Sequence, residues 1–454
     1  MMDFLLYILA FIFALGILIT FHEFGHFWVA RKCNVKILRF SIGFGRPIWM
    51  RRFGEDNTEL VVATLPLGGY VKMLDEREGE VKSEELNRAF NRKPLAQRFA
   101  IVLAGPLFNF IFAVFAYWIM FMAGLTGLKP VVGEVESGSL AARAGLQSGQ
   151  EILAVDDHKT KTWTMVVDAL IEHVVDGGEV TLTVGEGTGA VSTRQLQLDL
   201  GKVSIDDLAE GGILKRLGLS PRKISVPAVI GEIQPGLPAE QAGLAGGDRI
   251  VSVNRDAVDD WVALVETVQQ HPGEQLTLEV ERNGEKRSIT LIPQTKVTED
   301  GKTIGFIGAA NKPPDNVFAT ESYSLLPAFG KAVIKTWDMS WLTLRMLGKM
   351  IIGEASVKNL SGPISIAQYA GDSAKNGLAA FLWFLGIVSV SLGVLNLLPV
   401  PLLDGGHLMY YLIEFFKGGP VSESTQIIGQ QIGMTLLLGL MILVFYNDIV
   451  RLLG

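Results

Sequence analysis

Four long apolar stretches constrain the fold of this chain more than any other feature of its sequence. They cover about residues 4–30, 99–125, 378–403 and 433–450. An α-helix needs roughly 20 apolar residues to cross a bilayer, with a range of about 17–25. The first stretch has no basic residue before it and no clear small-residue cleavage site, which argues against a signal peptide. We therefore predict a polytopic α-helical membrane protein with four transmembrane helices.

Composition agrees with this class of protein and excludes others. Hydrophobic residues make up 49% of the 454 residues, and the mean hydropathy is +0.33, which is too apolar for an ordinary soluble protein. The formal net charge is −7, so no nucleic-acid partner is expected. Cys33 is the only cysteine, so no disulfide can form within the chain.

Seven basic residues follow the first apolar stretch, and they set the expected orientation. Short cytoplasmic loops carry an excess of Lys and Arg, so we expect this segment to lie in the cytoplasm. The N-terminus and the region 126–377 then lie outside, and the C-terminal ends of the first and third stretches share the cytoplasmic side. The basic residues are Arg31, Lys32, Lys36, Arg39, Arg46, Arg51 and Arg52.

The sequence His22-Glu23-Phe24-Gly25-His26 lies late in the first apolar stretch. On a helix, side chains four residues apart share a face, so both imidazoles can bind one zinc ion while Glu23 acts as general base. Five-residue patterns also arise by chance. Ionisable residues inside a membrane are costly and mark functional sites, which favours a catalytic metal site over a chance match.

A catalytic zinc ion needs a third protein ligand and an open position. The C-terminal end of the third stretch shares the cytoplasmic side with His22 and His26, and Asp404 is the acid at that end. Pro399 and Pro401 interrupt the helix there, which frees backbone groups to line a polar site. The sequence therefore predicts Asp404 as the third ligand.

Two further polar residues flank this segment. Asn396 could hold a substrate carbonyl or the developing oxyanion, or it could form a hydrogen bond between packed helices. His407 could be an additional ligand, but we favour an ordinary residue at the membrane interface.

Together these stretches resemble the site-2 protease family of intramembrane zinc metalloproteases, in its bacterial group of sigma-E regulators. The resemblance covers essentially the whole chain and implies one zinc ion, held by His22, His26 and Asp404. It also implies a general base at Glu23 and a substrate-contacting amide at Asn396. It is carried, in chain order, by HEFGH, LPLGGYVKM, AGPLFNF, SGPISIA and NLLPVPLLDGG.

The resemblance also implies a biological setting. The expected substrates are single-span membrane proteins, such as an anti-sigma factor already trimmed on its outer side, and remnant signal peptides. The expected location is the bacterial inner membrane, with the active site toward the cytoplasm and the insert 126–377 in the periplasm.

A membrane-associated β-region, formed by SIGFGRPIWM and LPLGGYVKM, is a further implication of the resemblance. A strand edge of that kind can bind an unwound substrate in extended form. The candidate substrate-binding positions are Gly43, Gly45, Gly68 and Gly69, which we expect in turns between strand-like apolar segments.

The region between the second and third apolar stretches contains a repeat. The sequences that start at Gly133 and Gly231, 98 positions apart, match without a gap, and Trp163 and Trp261 keep the same spacing. A period of this length indicates tandem small domains rather than a solenoid. The pattern P-A-x-x-A-G-L-x-x-G-D-x-I in the second copy resembles a bacterial PDZ domain, a peptide-binding fold.

We therefore predict two tandem PDZ domains of α+β class between two membrane parts. They would bind a partner, exclude large substrates or serve a structural role. The segment that links them to the third stretch contains an amphipathic helix at about 321–352. The predicted domain boundaries are 1–125, 126–221, 222–310, 311–377 and 378–454.

A non-catalytic membrane scaffold is the main alternative, since two PDZ domains and a structural metal site would give the same motifs. The two hypotheses differ in whether Glu23 is needed for function. A metal transporter has less support, because the intramembrane histidines and acids cluster at one site rather than along a path across the bilayer.

Overall fold

A computed structural model describes residues 2–176, 178–186, 192–201, 203, 212–223, 226–298, 302–312 and 317–453 of the chain. Within this part, four helices are long and apolar enough to cross a membrane, and the prediction of four transmembrane helices is confirmed. These helices cover Leu5–Lys32, Leu95–Ala123, Leu378–Leu397 and Glu423–Leu452.

The N-terminal membrane part consists of two long helices joined by a β-hairpin. Helix α1 (Met2–Lys32) and helix α2 (Leu95–Ala123) pack against each other. Strands β1 (Ile37–Phe53) and β2 (Thr58–Met73) pair in antiparallel fashion between them. The hairpin also packs against α1, which brings β2 close to the second half of that helix.

The hairpin glycines lie inside the strands, so their predicted location in turns is wrong. The turn is at residues 54–57. Gly43 and Gly45 have φ angles of 96° and 92°, which an L side chain rarely adopts, and the register between the strands shifts around them. Gly68 and Gly69 lie within β2, where Gly68 leaves room for the ring of Phe44.

Charged pairs join the two strands of the hairpin, one of them next to its turn. The Arg39 and Arg52 guanidinium groups bind Glu59 at 2.6 Å and 2.9 Å, and these bonds hold the pKa of the Glu59 carboxyl below its ordinary value. The connection from the hairpin to α2 forms two short 3₁₀ helices, Ser83–Arg88 and Phe90–Arg92.

The first unit of the insert is a small α+β fold with its own hydrophobic core. Strand β3 (Leu125–Leu128) precedes this unit. The strands of the unit are β4 (Val132–Val135), β5 (Gln150–Val155), β6 (His158–Lys159), β7 (Glu179–Glu186), β8 (Thr193–Asp199) and β9 (Leu219–Pro221). Its helices are α3 (Leu140–Arg143), α4 (Trp163–Asp176) and α5 (Gly212–Leu217). An antiparallel sheet has the order β6-β5-β7-β8, and β4 pairs with β9.

The second unit repeats this plan around a second core. Its strands are β10 (Ile230–Ile233), β11 (Arg249–Val253), β12 (Asp256–Ala257), β13 (Leu276–Arg282), β14 (Glu285–Leu291), β15 (Gln294–Val297), β16 (Thr303–Phe306) and β17 (Ala309–Asn311). Its helices are α6 (Pro238–Gln241) and α7 (Trp261–Gln270). The sheet order is β12-β11-β13-β14, and β10 pairs with β17.

The two units differ at one buried polar position of the repeat. In the second unit, the fully buried Asp248 carboxylate accepts two bonds from Arg282, at 2.6 Å and 2.7 Å, and one from the backbone nitrogen of Ala245. In the first unit, the amide oxygen of Gln150 accepts the corresponding bond from the backbone nitrogen of Gln147. The repeated sequence thus gives a repeated topology with different polar contacts.

The C-terminal membrane part begins where strand β18 (Phe318–Glu321) pairs with β3 and closes the insert. Its helices are α8 (Leu325–Ile351), α9 (Pro363–Lys375), α10 (Leu378–Leu397), α11 (Asp404–Lys417) and α12 (Glu423–Leu453). Helix α8 is the predicted amphipathic helix. The third apolar stretch ends at Leu397 rather than at residue 403, and sequence analysis did not predict α11.

Helix α2 is the centre of the membrane part. It packs against α1, α10, α8 and α11, and small residues on α10 allow the close approach. A Cβ on Gly393 would lie 3.0 Å from the ring of Phe110, and the Ser389 hydroxyl donates to the backbone oxygen of Asn109 at 2.8 Å. Helix α12 is held at its end by Asp448, which accepts bonds from the start of α9.

Candidate metal centre

Two imidazoles meet on one face of α1. His22 and His26 lie four residues apart, in the second half of the helix, and their Nε2 atoms lie 3.3 Å apart. The His26 side chain is 11% exposed and that of His22 is 15% exposed. The two rings therefore direct one nitrogen each toward a common, largely buried point.

Asp404 reaches the same point from the other end of the chain. It is the first residue of α11, and its Oδ2 lies 3.1 Å from His22 Nε2 and 3.4 Å from His26 Nε2. The turn before it is compact because Gly405 and Gly406 carry no side chain. A Cβ on either would overlap with the backbone of the turn between α10 and α11.

The far end of α11 is tied to α2. The Arg98 guanidinium donates to both carboxylate oxygens of Glu414, at 2.6 Å and 3.2 Å, and lies 5.0 Å from the ring centre of Tyr411. Because both ends of α11 are fixed, one by the glycine turn and one by this ion pair, the Asp404 carboxylate is held against α1.

The arrangement of the three side chains fits a zinc ion. In a tetrahedral site with bonds of about 2.0–2.1 Å, neighbouring ligand atoms lie about 3.3–3.4 Å apart, close to the separations of 3.1, 3.3 and 3.4 Å among the atoms of His22, His26 and Asp404. The Asp404 Oδ2 atom is buried and accepts no hydrogen bond. Within the described residues, this is a group of His and Asp side chains that could hold a metal ion.

Helix α2 contacts the Nδ1 atoms of both imidazoles, on the side of each ring away from the ligand atom Nε2. The backbone oxygen of Ile101 lies 2.8 Å from His26 Nδ1, and the side-chain amide of Asn109 lies 3.1 Å from His22 Nδ1. Between these two, Gly105 leaves the space that the rings occupy, since a Cβ there would overlap with His26 Nε2 and lie 2.9 Å from His22 Cε1. Partners of this kind orient metal-binding histidines.

Glu23 lies beside this cluster and faces a cavity of about 850 Å³. The cavity is also lined by His26, Asp404 and His407, and by parts of β2, α2, α11 and α12. Gly69 of β2 packs close to Glu23, because a Cβ on this glycine would lie 3.0 Å from Glu23 Cγ. The carboxylate is thus within a polar space that reaches the ligand cluster and the hairpin.

The other predicted site residues do not belong to this ligand group. Asn396 is half-buried near the end of α10 and does not line the cavity. His407 faces the cavity without joining the ligand group. Of the four hairpin glycines, Gly69 is the one that packs on Glu23.

Sequence reasoning gave no role to Ile101, Gly105 or Asn109. A signal for Asn109 was available, because it is the only amide side chain in the apolar stretch 99–125, and polar residues at membrane depth are usually functional. No comparable signal exists for Ile101, which contributes a backbone oxygen.

Comparison with known proteins now decides the family. A sequence model described as Peptidase family M50 matches residues 10–440. The Regulator of sigma-E protease RseP of Escherichia coli (strain K12) is 46% identical over 455 residues, which cover 100% of both chains. The chain belongs to Peptidase family M50. Its membership confirms the resemblance to site-2 proteases.

Two further relatives are also named as proteases. The Protease RseP of Yersinia pestis is 46% identical over 456 residues, and a zinc metalloprotease of Vibrio cholerae is 43% identical over 455 residues; each alignment covers 100% of both chains. The chain is therefore a zinc metalloprotease, which favours the catalytic hypothesis over the scaffold hypothesis. Its four apolar helices and its relatives make it an inner-membrane protein with several spans.

Proposed function

We propose that this M50 peptidase is an intramembrane endopeptidase, which hydrolyses peptide bonds within transmembrane segments of single-span proteins. The observation that carries the proposal is the position of the ligand cluster. His22 and His26 lie on a helix apolar enough to cross the bilayer, and Asp404 completes their group. We assign one zinc ion per chain to these three side chains.

The position of Glu23 supports its role, whereas the role of Asn396 rests on the resemblance to the family. A bound zinc ion supplies a Lewis acid and lowers the pKa of a water molecule to about 7. Glu23, beside His22 in sequence and facing the cavity, takes the proton from the attacking water and delivers it to the leaving nitrogen. Asn396 holds the substrate carbonyl, which requires the end of α10 to approach the cavity when substrate is bound.

The hairpin provides the surface that accepts an unwound substrate. Strand β2 passes close to Glu23 at Gly69, and β1 and β2 form a two-stranded sheet, which leaves strand edges for pairing with a third, extended chain. Gly43, Gly45 and Gly68 shape the irregular part of this sheet. Strand addition at this edge would place a substrate backbone beside the proposed zinc ion.

The proposal also covers the orientation of the protein in the membrane and its choice of substrate. By the positive-inside rule, the basic residues that follow the first span support an orientation with the cluster toward the cytoplasm and the two insert units in the periplasm. We assign these units as PDZ domains that exclude substrates with a large outer domain. The substrates are an anti-sigma factor trimmed on its outer side and remnant signal peptides, in keeping with relatives named for sigma-E regulation.

One cleavage assay tests the proposal with two substrates. Purified full-length protein in detergent should cut a labelled single-span protein with a short outer tail and should cut it much more slowly when that tail carries a folded domain. Removal of the metal by a chelator should abolish cleavage, and added zinc should restore it. Cleavage that persists after zinc is fully removed would refute the metal assignment, and equal cleavage of both substrates would refute the size filter.

A further inference from the structure

The Nδ1 atoms of both imidazoles contact α2, but the contact of His26 alone fixes which ring nitrogen carries the proton. His26 Nδ1 lies 2.8 Å from the backbone oxygen of Ile101. A carbonyl oxygen can only accept a hydrogen bond, so His26 carries its proton on Nδ1. Its Nε2 then presents a lone pair toward Asp404, as a neutral metal-binding imidazole requires.

His22 needs the same tautomer to bind zinc, but its partner is an amide rather than a carbonyl. The nitrogen Nδ2 of Asn109 lies 3.1 Å from His22 Nδ1. A donor at this place would require a lone pair on Nδ1 and would leave the proton on Nε2, the atom that faces Asp404. That tautomer cannot bind a metal ion through Nε2.

The amide of Asn109 carries an acceptor that can resolve this conflict. Its Oδ1 atom is buried and has no hydrogen-bond partner, and a buried polar group without a partner is costly. The oxygen and nitrogen of an amide have nearly the same shape, so a rotation of 180° about the last side-chain bond exchanges them with little movement. After this rotation, Oδ1 lies next to His22 Nδ1.

We propose that Asn109 is a positioning residue that selects the zinc-binding tautomer of His22 by accepting the Nδ1 hydrogen through Oδ1. The two orientations of the amide then correspond to two states of His22, one able to bind zinc through Nε2 and one not. This inference rests on the zinc site proposed above, because it assigns Nε2 of His22 as the ligand atom.

The surroundings of Asn109 keep the amide in place. The residue is fully buried, and Ser389 on α10 donates a hydrogen bond to its backbone oxygen at 2.8 Å. Close packing of Gly393 on the neighbouring Phe110 holds the same part of α2 against α10. The side chain therefore cannot turn away to water, and its choice is between the two amide orientations.

Three variants of the full-length protein test this role through zinc affinity, measured by competition with a chelator. Asn109→Leu removes the acceptor and should weaken zinc binding by about 10–100-fold, as for other outer-shell partners of zinc-binding histidines. The ionised carboxylate of Asn109→Asp can accept but cannot donate, so this variant should retain zinc. Ser389→Ala removes a hydrogen bond to the backbone oxygen of Asn109 but leaves the side-chain amide intact, so its zinc affinity should fall much less than that of Asn109→Leu.

Each outcome decides the inference. Equal zinc loss in Asn109→Asp and Asn109→Leu would show that an acceptor at this place does not preserve zinc binding, and wild-type affinity in Asn109→Leu would show that the amide is not needed; either result overturns the proposal. If Asn109→Asp does not fold, the comparison of Asn109→Leu with Ser389→Ala decides alone, and equal losses in these two contradict the role. Wild-type protein that binds no zinc would instead refute the proposed metal site.

Discussion

Replacing Glu23 by Gln should abolish peptide hydrolysis and leave zinc bound. The amide has nearly the size of the carboxylate but cannot take a proton from water, and loss of a general base lowers rates by about 100- to 10,000-fold. Glu23 is not among the three side chains whose ligand atoms converge, so metal content should stay at the wild-type value. Cleavage rate and zinc content of the purified variant are the two measurements.

A matched variant separates this effect from a general disturbance of the cavity. Gln426 also lines the cavity but belongs to α12, and its replacement by Ala should leave most of the activity. If Glu23→Gln cleaved at the wild-type rate, the assignment of the base would be wrong. If Glu23→Gln lost its zinc as well, Glu23 would act in metal binding instead.

Replacing Gly105 by Val should remove zinc binding and activity together. A Cβ at this position overlaps with His26 Nε2 and comes within 2.9 Å of His22 Cε1, so both rings must leave the positions in which their Nε2 atoms converge with Asp404. Loss of one outer-shell partner costs about 10–100-fold in metal affinity, and displacement of two ligands should exceed this range. Zinc affinity from chelator competition and the cleavage rate check the prediction.

Gly16→Val serves as the control for this substitution. Gly16 lies on α1 and a Cβ there would contact no other atom within 4 Å, so the variant tests the effect of valine in a membrane helix without steric conflict. It should keep zinc and activity. Wild-type zinc affinity in Gly105→Val would mean that the imidazoles do not bind the metal in the positions that this structure gives them.

The main parts of the site follow from sequence because each obeys a geometric rule. His22 and His26 share a helix face at a spacing of four residues, and the two odd-numbered spans end on the same side of the membrane, which leads to Asp404. The helix that begins at Asp404 was not predicted, because Pro399 and Pro401 indicate an interruption of the third span but do not indicate that a second helix follows it.

Contacts between residues far apart in the sequence could not be predicted from motif spacing or from the orientation of the spans. Asn109 and His22 are 87 positions apart, and no periodicity relates one to the other. The hairpin glycines were expected in turns because glycine favours them, yet Gly43 and Gly45 adopt positive φ angles inside an irregular strand pair. Whether a glycine lies in a turn or inside a strand depends on the register between the strands, which local sequence does not fix.

The most direct test of the account is to locate the bond that the purified protein cuts, in water enriched in oxygen-18. A single-span substrate incubated with the zinc-loaded protein should yield two fragments whose new ends lie within the transmembrane segment by mass spectrometry. The new carboxyl group should carry one oxygen-18 atom, because water attacks the carbonyl directly. Cleavage only outside the transmembrane segment, or a new carboxyl group without the label, would contradict hydrolysis at an intramembrane zinc site.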